Sequence, residues 1–114
     1  MITKKKITIP IFGYKLTIII FDEMSDLHGQ IPEHHIYGDF RGLAYGEDFS
    51  GVVCIGSKYG STIAHESLHM VNAVWKAIGY EPQRDNDEVS AYLLTYIYEK
   101  IVDVFYLHND KKPK

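Results

Sequence analysis

Two histidines stand four residues apart in Thr62-Ile63-Ala64-His65-Glu66-Ser67-Leu68-His69-Met70-Val71, with a glutamate directly after the first. On a helix, residues four apart stack one turn above the other, so His65 and His69 can offer both imidazoles to one ion. Glu66 falls about 100° further round the helix. A carboxylate there sits beside the pair. It can take a proton from a metal-held water without being a ligand itself. The spacing therefore serves metal-assisted hydrolysis. A catalytic zinc site normally takes three protein ligands and keeps a fourth position for water.

The elements that must position these groups change character near Gly60. Before it, Ile7 to Phe12 and Lys15 to Phe21 are rich in β-branched residues and are separated by Gly13-Tyr14, which predicts a pair of adjacent strands. Asp22 to His35 reads as a loop with one helical turn. Arg41 to Gly46 reads as a short, glycine-flanked strand suited to a sheet edge, and Gly51 to Gly56 as another strand. After Gly60 the period becomes helical. Ser61 or Thr62 can cap a helix running to about Ile78, which Gly79 and Pro82 then stop. Ala64, Leu68, Val71, Trp75 and Ile78 form the expected core stripe, with His65, His69, Asn72 and Lys76 on the neighbouring one. A second helix is expected from about Asp85–Asp87 to Leu107, apolar over much of its surface and so buried on more than one side. Asp85-x-x-Glu88 at its start also reads as a capping box.

With the two helices in place, the segment "TIAHESLHMV…NDEVSAYLL" resembles the zincin-like metallopeptidases. The closer likeness is to the small gluzincins, which add a downstream glutamate to HExxH, as in zincin-like proteins encoded by phages and prophages. The resemblance spans about residues 40–98 and is strongest in the two helices. It implies that one Zn2+ is held by His65, His69 and Glu88, with Glu66 as the general base and acid; Asp87 is a neighbouring alternative to Glu88. The metzincin continuation HExxHxxGxxH does not fit, because Asn72 and Trp75 occupy its glycine and histidine positions. Where larger gluzincins often carry an aspartate four residues after the ligand glutamate, this chain has Tyr92. Its hydroxyl is a candidate for orienting a histidine or steadying an oxyanion. In zincins an edge strand pairs with the extended substrate. The matching positions are Gly42, Leu43, Ala44 and Tyr45 of "RGLAYG", and the physics is strand addition to unpaired N–H and C=O groups.

Length and composition frame these expectations. The chain has 114 residues, 46% hydrophobic and 24% charged, with a formal net charge of -3. One domain covering residues 1–114 is expected, with nothing to favour nucleic acid and no run of transmembrane length. Lys4–Lys6 and Lys111, Lys112 and Lys114 read as solvated termini. No signal-peptide pattern follows the first lysines, since Pro10, Gly13 and Lys15 interrupt the apolar stretch. The single cysteine, Cys54, allows no internal disulfide and reads as a buried thiol. His28, His34, His35 and His108 lack convergent partners. The expected molecule is a cytoplasmic (host-cytoplasmic if phage-encoded) α+β zincin-like peptidase. A mostly antiparallel sheet of about four strands packs on the HExxH helix and the glutamate-bearing helix, and the partner is a peptide or protein. The alternative function is a zinc-bound peptide-binding module with little or no hydrolysis.

Overall fold

The computed structural model describes residues 1–110, so the terminal lysines Lys111, Lys112 and Lys114 lie outside the described residues. The chain forms strands β1 (Ile2–Ile9), β2 (Tyr14–Phe21), β3 (Gly42–Glu47) and β4 (Ser50–Gly56), then helices α1 (Ile63–Ile78) and α2 (Glu88–Asp110). It is an α+β arrangement: one four-stranded sheet in the order β1-β2-β4-β3, with two helices.

The sheet is mixed, which corrects the expectation of a mostly antiparallel one. The pairs β1–β2 and β3–β4 are antiparallel hairpins, but the two central strands run parallel, with Ile20 opposite Ile55. The reason lies in the connection. Residues 22–41 carry the chain from the end of β2 past one strand position to begin β3, and the tight Asp48-Phe49 turn returns β4 into the gap. Central parallel strands are covered on both faces, and the sequence shows this as unbroken apolar runs, Ile18-Ile19-Ile20-Phe21 and Val52-Val53-Cys54-Ile55.

Each face has its own core. Leu16, Ile18, Ile20, Val53 and Ile55 pack under the helices with Met70, Val74, Trp75, Ile97 and Ile101. Ile19, Phe21 and Cys54 point the other way, against Leu27, Ile31, Ile36 and Phe40 of the 22–41 connection. Burial pushes the Cys54 thiol up to about 12. The connection holds 3-10 turns at Met24–Leu27 and Glu33–His35, where a loop with one helical turn was expected.

Boundaries shift in two places. β1 starts at Ile2, so Lys4, Lys5 and Lys6 are exposed positions within a strand, and the hairpin turn falls at Pro10–Gly13. α2 starts at Glu88, with the Ala91 N–H donating to the Asp87 carbonyl at 2.9 Å. Asp87 thus holds the N-cap position, not Asp85, and the Asp85-x-x-Glu88 capping box is not built. At the other end of the turn, Gly79 closes α1 in the left-handed region at φ 74°, as its sequence position predicts.

Candidate metal centre

The face that α1 buries decides what its histidines can do. Ile63, Glu66, Ser67, Met70, Val71, Val74 and Trp75 are buried. The stripe read from sequence is therefore rotated: Leu68 is 52% exposed and Ile78 36%. The helix is pressed from two sides, by β3 and β4 along Glu66, Met70 and Ala73 and by α2 along Val71 and Trp75, so its buried face centres between them. Trp75 fixes this rotation by donating its indole N–H to the Ser90 hydroxyl of α2 at 2.9 Å.

The rotation turns Glu66 inward and His65 and His69 outward. The side chain of His65 is 69% exposed and that of Glu66 only 9%. The two histidine Nε2 atoms lie 3.1 Å apart. Two nitrogens bound to one tetrahedral zinc at about 2.0–2.1 Å would be separated by roughly 3.3 Å, so the pair is within reach of one ion, at a separation that an N–H···N hydrogen bond between the rings also gives. Glu66 Oε2 lies 4.0 Å from His65 Nε2. Burial raises the Glu66 carboxyl above the usual carboxylate range, and the adjacent His65 and His69 pull it partly back. Among the described residues, His65, Glu66 and His69 form the one group of metal-capable donors gathered within 4.8 Å. Two imidazoles at ligand spacing and a sheltered carboxylate fit the donor chemistry of zinc, as far as α1 supplies it.

Glu66 owes its shelter to a glycine. A Cβ at Gly42 would lie 2.9 Å from Glu66 Cγ, 3.0 Å from its Oε2 and 3.1 Å from Thr62 Oγ1. No side chain fits there without displacing the carboxylate. Gly42 opens β3, the outermost strand beyond β4, so Glu66 packs on the helix-facing side of the edge strand. A second close approach, Gly46 to Ala73 (3.0 Å for a Cβ), keeps β3 alongside α1 over a further two turns.

The remaining positions distribute unevenly. Of the edge residues, Gly42 and Ala44 face α1, whereas Leu43 and Tyr45 pack with the second core on the opposite face. Tyr45 stacks on the His35 ring at a centroid distance of 4.0 Å. Glu88 is exposed at the first position of α2, about 180° round the helix from buried Ile97, and stands outside the 4.8 Å group. Asp87, at the N-cap, lines a shallow pocket with Leu68 and Val71. Tyr92 is 74% exposed and lies with Ile9–Phe12 of the β1–β2 turn, beside Val89 and Tyr96. The structure thus brings together His65, Glu66, His69 and Gly42, and leaves Glu88 and Tyr92 apart from them.

One polar cluster escaped the sequence reading. His108 is fully buried, its Nδ1 2.7 Å from Thr3 Oγ1 and its Nε2 3.0 Å from Asp22 Oδ1, which also accepts from the Ser57 hydroxyl at 2.7 Å. This network ties the end of α2 to β1 and to the ends of β2 and β4, so His108 is a core residue with convergent partners, which corrects the expectation that it has none. Its only sequence signal was a helical phase shared with Ile97, Ile101 and Val104. No protein-family model, no curated protein and no solved structure matches this chain.

Proposed function

We propose that the chain is a zinc-dependent peptidase that binds its substrate along β3. One observation carries the reading: the HExxH glutamate packs on the edge strand at a glycine, where a Cβ would meet its Cγ and Oε2. A base placed there meets a peptide carbonyl only if the peptide lies along that edge. Zinc, when bound, supplies a Lewis acid and a water whose pKa falls to about 7. His65 and His69, with Nε2 atoms 3.1 Å apart, are the residues that would hold it. β3 aligns an extended peptide through unpaired backbone groups. Glu66 accepts a proton from the attacking water and passes it to the leaving nitrogen, so water adds across the C–N bond to give a carboxylate and an amine. The resemblance supplies Glu88 as third donor, from the first turn of α2. A reducing, cytoplasmic setting suits the lone buried thiol, and among the described residues no helix is long and apolar enough to cross a membrane.

The position of Glu88 favours a second reading, a zinc-bound module that holds a peptide with little hydrolysis. Metal analysis of protein purified without chelator tests the site directly. One zinc per chain is expected, retained by Glu66→Gln and lost in His65→Ala. Equal zinc in the parent and in His65→Ala would overturn the site. Glu88→Ala is expected to weaken zinc binding at least about tenfold; unchanged affinity would remove Glu88 from the ligand set while leaving the histidine pair.

A further inference from the structure

The turn between β1 and β2 holds its middle residue in a strained shape. The Phe12 N–H donates to the Pro10 carbonyl at 2.8 Å, which closes a three-residue γ-turn with Ile11 at its centre, φ 73°. Positive φ makes this the rare, strained form of that turn. A β-branched residue is poorly suited to it, whereas glycine would adopt it without steric cost. The Ile11 side chain is 97% exposed, so burial within the chain does not offset the strain. The turn itself is anchored. Phe12 packs inward, its ring edge-on to Trp75 with centroids 5.4 Å apart, and Ile11 projects to solvent. Beside it a cavity of about 290 Å³ opens between the turn and the first turns of α2. Buried Ile9 and Leu93 form its floor, Phe12 and Tyr96 its walls, and exposed Val89 and Tyr92 its outer rim. Among the described residues, none that lines it is charged.

We propose that this face pairs two copies of the chain about a two-fold axis, with the Ile11 of each copy seated in the cavity of the other. A projecting apolar side chain and an apolar cavity lie side by side on one surface, so the surface is complementary to itself. One chain thus supplies both halves of the contact. A small-molecule ligand fits less well. The cavity falls just below the roughly 300–1,000 Å³ of ligand pockets, and its polar side-chain groups are two tyrosine hydroxyls. The area meets what a dimer needs. Ile11 and Tyr92 present roughly 150–200 Å² each, and with Val89, Phe12 and Tyr96 one face reaches about 500 Å². Pairing doubles this to about 1,000 Å², the lower limit for a specific interface. Burial in the partner's cavity is the gain that the strained turn lacks within one chain. The face is separate from the metal centre. It lies on the β1 side of the sheet, where α2 packs over β1 and β2, whereas Glu66 and β3 lie towards the other edge. Pairing therefore leaves β3 uncovered, and a two-fold face closes at two copies.

Sedimentation of the full chain over about 1 µM to about 1 mM tests the pairing. The weight-average mass is expected to climb from one chain to two and to stop there. Ile11→Gly should keep the chain monomeric throughout, without lowering the melting temperature of dilute protein, since glycine suits φ 73°. Tyr92→Lys leaves the turn untouched and alters an exposed position of α2; it should weaken pairing at least about tenfold. A parent that stays monomeric across the whole range, or a dimer that either substitution leaves at the parent's affinity, would overturn the proposal.

Discussion

Along β1 the outer edge of the sheet carries Lys4, Lys5 and Lys6 in succession, whereas along β3 the opposite edge reads Gly42-Leu43-Ala44-Tyr45-Gly46. Both strands leave a row of backbone groups unpaired. Charged side chains, lysine above all, discourage another strand from docking on such an edge. β1 is guarded in this way and β3 is not. β3 is also the edge where glycine lets the helix layer come closest, and where Glu66 is held. The difference teaches that one sheet treats its two edges differently: it carries strand-excluding charges on one side and leaves the other, beside Glu66, open, as the proposed function requires.

The comparison can be broken at its strongest point by removing the base. Glu66→Gln is expected to lower peptide hydrolysis by about 10²–10⁴ with zinc content unchanged, measured as turnover of a labelled peptide at saturating metal. Gly42→Val comes next. Its side chain must displace Glu66 or push β3 outward, costing about 1–3 kcal/mol in denaturant unfolding, and hydrolysis should fall further than that loss of stability explains. A peptide N-methylated at alternate residues cannot donate to the β3 edge, and its affinity is expected to drop about tenfold against the unmethylated peptide. Replacing Lys4, Lys5 and Lys6 with threonine sharpens the contrast from the other side. The unguarded β1 should then self-associate, seen as a concentration-dependent rise in mass by sedimentation, while hydrolysis at β3 is unchanged. The smallest effect at neutral pH lies between the edges, at Cys54 of β4. The folded chain holds the thiol proton to about pH 12, against an ordinary value near 9. The unfolded chain releases it first, so stability should decline as pH rises through that window, and alkylation at pH 8 should require unfolding.

Much of this arrangement was legible in the sequence because its signals are local. The stacked His65 and His69, the Gly79 stop, the glycine-flanked edge strand and the apolar central strands each follow from residues a few positions apart. What was not legible depends on groups far apart in the chain. The parallel β2–β4 pair arises because residues 22–41 skip a strand position, which no periodicity records. The core stripe of α1 was misplaced because periodicity alone weighs Leu68 and Ile78 as core and Glu66 as surface. Packing against β3 on one side and α2 on the other reverses both, and Gly42 is what makes an inward Glu66 tolerable. His108 looked partnerless because Thr3 and Asp22, which hold it, come from the other end of the chain. Glu88 was placed by resemblance to a pattern, and its site depends on the turn between the helices, where Asp87 in place of Asp85 caps α2.

Cleavage of an extended-peptide library by the as-purified chain, repeated after chelation and again after zinc is restored, tests the central claim most directly. The account predicts cleavage that is lost on chelation, recovered with about one equivalent of zinc, and absent from Glu66→Gln under all three conditions. Cleavage that survives chelation, or that Glu66→Gln retains at the parent's rate, would contradict it.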